Sequence, residues 1–106
     1  MIEFLFWEGC PSHERALSQL REQMRELRLP ESDLTVIEVK DAADAQRERF
    51  VGSPTIRIEG VDVSDPEDQP YGLECRLYYH RDGRPSPLPD QDDLREALTR
   101  YAASSK

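Results

Sequence analysis

From Ile2 to Trp7 every position but Glu3 is apolar, the pattern of a buried central strand rather than one with a wet face. Gly9 breaks the run, and Pro11 suits the first position of a helix, where its missing N–H costs nothing. Ala16, Leu17, Leu20, Met24 and Leu27 then recur at helical spacing with arginines and glutamates between them, so a first helix is expected up to Pro30. Leu34 to Val39, rich in β-branched residues, reads as a second strand. Asp41 is placed to cap a short helix running to about Phe50.

Thr55 to Glu59 alternates, with Ile56 and Ile58 on one face and Thr55, Arg57 and Glu59 on the other. Gly60 turns the chain, and Val61 to Val63 is expected to pair back as a hairpin partner. Residues 64–73 read as a loop. Cys75 to His80 alternates again as a further strand, Asp82-Gly83 marks a turn, and Pro85, Pro87 and Pro89 make an extended connection. Asp90 caps a last helix whose buried stripe is Leu94, Ala97, Leu98 and Tyr101, and Ala102 to Lys106 is expected to fray. The first three elements form a parallel β-α-β unit with a right-handed crossover. The hairpin completes a mixed sheet of four to five strands flanked by three helices, an α/β fold in one domain over residues 1–106.

Composition narrows the function. A chain of 106 residues suits one domain with its own core. Its 14 Lys plus Arg against 22 Asp plus Glu leave a net charge of −8, which argues against nucleic acid or an anionic membrane as partner. No apolar run approaches the roughly 20 residues of a membrane span, and no basic region precedes the first apolar stretch as a signal peptide requires. Cys10 and Cys75 alone do not make a secreted disulfide framework, so a cytoplasmic protein with mostly reduced thiols is expected. No cofactor is expected, and no short-spaced ligand pair marks a resident metal.

The candidate chemistry centres on Cys10. A cysteine at a helix start meets unpaired amides and the positive end of the helix dipole, which favour a thiolate nucleophile; the alternative is a buried structural cysteine. His13 lies three residues on and would stabilise the thiolate or accept its proton, unless it is only an exposed first-turn histidine. Pro54 opens the third strand, where no ladder N–H is lost. If Pro54 is cis, the backbone of Ser53 faces Cys10, and a substrate chain would bond to that backbone as an added strand. Trp7 is expected beside the site, partly shielding Cys10 from water. Cys75 is either a resolving thiol, brought near Cys10 by the hairpin's return, or a half-buried strand cysteine. Tyr71, Tyr78, Tyr79 and His80 are read mainly as packing and surface, with Tyr71-Gly72 near the mouth of the site.

Three segments, Trp7-Glu-Gly-Cys-Pro-Ser-His13, Phe50-Val-Gly-Ser-Pro-Thr-Ile-Arg57 and Tyr71-Gly-Leu-Glu-Cys-Arg-Leu-Tyr78, resemble the thioredoxin-like superfamily over nearly the whole chain. Within it they are similar to the small prokaryotic proteins labelled DF family (seleno)proteins. The resemblance implies a thioredoxin-like fold, a cis proline at Pro54 and a redox-active position at Cys10; it implies no substrate. Thioredoxins carry a second cysteine three residues after the first, and here His13 stands there. Two-thiol exchange within the turn is therefore impossible, which leaves monothiol chemistry at Cys10 or a relay through Cys75. The core is also similar to that of organomercurial lyase, which uses two well-separated cysteines; an aspartate three residues after its first cysteine is His13 here, so lyase activity is not expected. Three readings stand: a thiol–disulfide oxidoreductase acting on a thiol- or disulfide-bearing protein or a small-molecule thiol, a soft-metal binding or sensing protein, and a non-catalytic interaction domain.

Overall fold

The computed structural model describes residues 1–66 and 68–104. Strands β1 (Ile2–Phe6), β2 (Leu34–Glu38), β3 (Thr55–Ile58) and β4 (Val61–Asp62) form one mixed sheet in the order β2-β1-β3-β4. β1 runs parallel to β2, with Phe4 opposite Val36, and antiparallel to β3, with Phe4 opposite Ile56. Helices α1 (His13–Glu26), α2 (Ala42–Glu48) and α3 (Gln91–Ser104) surround it. Among the described residues, no helix is long and apolar enough to cross a membrane.

Both faces of the central strand are buried, which is why β1 reads as almost unbroken apolar sequence. Ile2 and Phe4 join Ile56 and Ile58 against Leu20 and Met24 of α1 and Leu94 and Leu98 of α3. Leu5 points to the other face, where Val39, Ala45 and Phe50 form a smaller core. Asp41 caps α2 as expected, its side chain accepting a hydrogen bond from the Asp44 N–H at 2.8 Å. The hairpin also forms as expected: Arg57 faces Asp62, and the Val63 N–H extends the pairing to the Ile56 carbonyl.

Three expectations are corrected. Helix α1 begins at His13, not Pro11, because the Cys10 N–H turns back onto the Trp7 carbonyl at 3.0 Å and the Ser12 carbonyl takes the bond from Ala16. Cys10 therefore sits in the turn before the helix. The strand expected over Cys75–His80 shrinks to β5 (Tyr78–Tyr79), which pairs with β6 (Pro85–Ser86) in a ribbon outside the main sheet. The residues before it are drawn instead into a bridge with Ser53. Ala102 to Ser104 remain helical, with the Ser104 hydroxyl on the Arg100 carbonyl; Ser105 and Lys106 lie outside the described residues.

Candidate functional site

Antiparallel pairing of β1 with β3 sets the end of β1 beside the start of β3, with Leu5 opposite Thr55. The turn carrying Cys10 thus meets the loop Val51–Pro54. The Ser53–Pro54 peptide is cis. Cys10 is wholly buried, and its thiol donates to the Ser53 carbonyl at 3.3 Å. The Ser53 hydroxyl is buried beside it without a hydrogen-bond partner among the described residues.

A third segment closes over this pair. The Ser53 N–H donates to the Glu74 carbonyl at 2.8 Å, and the Arg76 N–H donates to the Ser53 carbonyl at 2.9 Å. These two bonds make a parallel bridge between Ser53 and Cys75. The backbone that was expected to receive a substrate strand is therefore occupied by the chain's own residues 74–76. Around the bridge the segment is fastened at several points. The Gly72 N–H bonds the Phe50 carbonyl at 3.0 Å, and Leu73 packs on the Leu5, Val39, Ala45 and Phe50 core. The Arg76 guanidinium is buried and pairs with Asp62 at 2.8 Å, while also donating to the Thr55 hydroxyl at 3.2 Å and the Ser64 carbonyl at 2.6 Å. It lies over the Tyr78 ring, 4.5 Å from its centre, and the Tyr78 hydroxyl donates to the Pro54 carbonyl. Gly52, at φ +145°, is required here: a Cβ on it would stand 3.0–3.1 Å from the Cβ, Cα and N of Arg76.

This clamp leaves Cys75 exposed and pairs it with Ser53, the residue whose carbonyl accepts from the Cys10 thiol, so the two cysteines are neighbours; both are free thiols. Partial loss of water around the sulfur pushes the Cys75 thiol above its ordinary value, and the neighbouring Cys10 and the charge of Glu74 add to the effect. Of the residues singled out in the sequence, Cys10, Ser53, Pro54 and Cys75 come together.

His13 stands apart from the sulfurs. Its ring stacks on Phe6 at 4.6 Å between centres, and its Nδ1 is 2.7 Å from the Cys10 carbonyl oxygen. A carbonyl only accepts, so Nδ1 carries the proton. Among the described residues no hydrogen bond joins His13 to either thiol, and the histidine secures the backbone of the turn. Trp7 is half-buried against the Leu5, Val39, Ala45 and Phe50 core. Its indole folds over Gly9, where an added Cβ would come within 2.4 Å of the ring.

Sequence reasoning missed Gly52, Asp62 and Arg76 as builders of the site and read Tyr78 as packing or surface. An arginine inside an alternating segment was the available signal, but its partner Asp62 is visible only in the fold. Burial pushes the Tyr78 phenol far above its ordinary value of about 10. Its contribution to stability is therefore complete below about pH 10 and is lost as pH rises, because the unfolded chain ionises there and the folded one resists. The urea midpoint is expected to fall between about pH 9 and pH 11, less steeply in Tyr78→Phe than in the wild type. An equal slope in both would remove Tyr78 as the cause.

No protein-family model matches this chain, and no curated protein or solved structure matches it significantly.

Proposed function

We propose that this chain is a dithiol–disulfide exchange protein on a thioredoxin-like fold, with Cys10 and Cys75 forming and breaking a single intramolecular disulfide. The observation that carries the reading is the convergence of two free thiols from distant parts of the chain on one residue: the Cys10 thiol donates to the Ser53 carbonyl, and Cys75 pairs with Ser53 in a bridge. A cysteine in the turn after β1, a cis proline before β3 and the strand order β2-β1-β3-β4 support the thioredoxin-like assignment. The balanced reaction takes one external disulfide and two protein thiols to two external thiols and the Cys10–Cys75 bond, and it runs in either direction according to the partner's potential. Partners are thiols or disulfides, small or borne on protein. Nothing in this reading uses His13 as an acid or base.

Mild oxidation of the purified protein is expected to take its free thiols from two to none, with a mapped Cys10–Cys75 linkage reversed by dithiothreitol. Cys10→Ser and Cys75→Ser each abolish that linkage. Two thiols that persist, or that pair only between chains, overturn the proposal.

A second reading rests on the same contact. Two neighbouring thiols with no third ligand grouped beside them among the described residues suit a soft cation of low coordination number. Among the described residues no group of three or more His, Cys, Asp or Glu is arranged to hold a metal, so a four-coordinate zinc site is not what this arrangement favours. One Hg(II) bound per chain, lost in either serine variant, would favour this reading.

A further inference from the structure

We propose that Cys75, not Cys10, is the sulfur that exchanges with outside thiols, so that the transient mixed disulfide is carried by Cys75 and resolved by Cys10 beneath it. This rests on the dithiol reading above and assigns its polarity, which is the reverse of the order expected from the sequence.

Thiol–disulfide exchange needs an open line of approach to the attacked sulfur. Cys10 offers none: its residue has no exposed surface, and its thiol is turned inward onto the Ser53 carbonyl. The backbone route to it is also closed. The N–H and C=O of Ser53, where an extended peptide would dock, are already bonded to Glu74 and Arg76. That plug is anchored by a buried ion pair with Asp62 and by the Tyr78 hydroxyl on Pro54. Cys75 lies on the outer side of the same bridge and faces solvent.

The steps balance. In the oxidised protein an outside thiolate RS⁻ attacks Cys75 Sγ, forming an R–S–Sγ bond as the bond to Cys10 breaks. The electron pair goes to Cys10, which takes a proton from solvent and regains its bond to the Ser53 carbonyl. A second thiolate then attacks the R sulfur, releasing the external disulfide, and the Cys75 thiolate takes up a proton. Two external thiols are oxidised and the protein disulfide is reduced. In reverse, Cys75 as thiolate opens an external disulfide and Cys10 displaces the second thiol from the same mixed intermediate. The raised Cys75 thiol holds back this reverse entry near neutral pH but not attack on the oxidised form, which requires no ionised Cys75.

The test uses reduced full-length chain and 2-hydroxyethyl disulfide as probe. Cys10→Ser is expected to take up one adduct on Cys75, and Cys75→Ser to take one up on Cys10 about 100-fold more slowly, because a buried thiol must wait for local opening. Wild-type protein quenched in acid soon after a limiting dose should carry its early adduct on Cys75 by peptide mapping; this arm needs no variant to fold. Early adducts on Cys10, or Cys75→Ser reacting as fast as Cys10→Ser, overturn the proposal. If the wild type still ends as the Cys10–Cys75 disulfide in that case, only the polarity falls. If it ends with separate adducts and no internal bond, the dithiol reading falls and takes the polarity with it.

Discussion

Asp62→Ala is expected to lower the stability of this chain by about 3–5 kcal/mol, close to the whole margin of a weakly stable domain of about 5–15 kcal/mol. The side chains of Arg76 and Asp62 are 2% and 13% exposed. Removing the carboxylate leaves the guanidinium in the interior on the Thr55 hydroxyl, the Ser64 carbonyl and the Tyr78 ring, without the carboxylate that balances its charge. A buried charge without its counterion is among the few single changes that cost this much. Asp62 also accepts from the Ser64 N–H at 2.9 Å, so the loop after β4 loses its tie in the same variant. Urea denaturation reads the effect directly. Replacing both charges together, as in Arg76→Met with Asp62→Leu, should cost less than Asp62→Ala alone, since no charge is stranded. If Asp62→Ala costs less than about 1 kcal/mol, the value of an exposed pair, the ion pair does not anchor the segment over Ser53.

The same pair explains where the sequence misleads. Alternation over Cys75–His80 is present in the structure, but with the opposite sense to hydropathy: Arg76 and Tyr78 point inward, while Leu77 and Tyr79 are 51% and 68% exposed. Period-two reading finds the alternation and assigns the apolar side to the core. Only Asp62, brought across by the β3–β4 hairpin, makes an inward arginine tolerable, and that compensation is a tertiary fact.

Elements whose signal is local in sequence were legible. The apolar run of β1, the Asp41 cap and the hairpin at Gly60 each leave their signal in residues adjacent in sequence, although β1 itself is held by distant partners, and each forms as read. The proximity of Cys75 to Cys10 was legible as one of two options, because a hairpin that pairs back returns the chain to the Pro54 end of β3. The part given to His13 was not legible. Spacing of three residues puts side chains on one face only within a helix, and Cys10 precedes α1. Once the turn bends back to Trp7, the imidazole finds the Phe6 ring and the Cys10 carbonyl instead of the thiol.

Gly52→Ala is expected to separate the two thiols without touching either. At φ +145° an alanine is strained, a cost of about 1–3 kcal/mol. Its Cβ would also press against the backbone of Arg76 at 3.1 Å, which no rotamer change relieves. The Arg76 backbone must give by a few tenths of an ångström, which loosens the bridge at Ser53 and shifts Cys75 relative to Cys10. Formation of the internal disulfide should slow by about 10-fold or more, as loss of a positioned contact implies, while Cys10 becomes open to alkylation. Gly60→Ala is the control. It sits at φ +80°, so its alanine is strained as well, yet nothing lies within 4 Å of the added methyl. Both variants should lose stability to urea, and only Gly52→Ala should change thiol reactivity. Equal disulfide rates in the two would mean that the seat of Cys75 tolerates a displaced Arg76. The clamp formed by residues 74–76 would then not be what holds the sulfurs together.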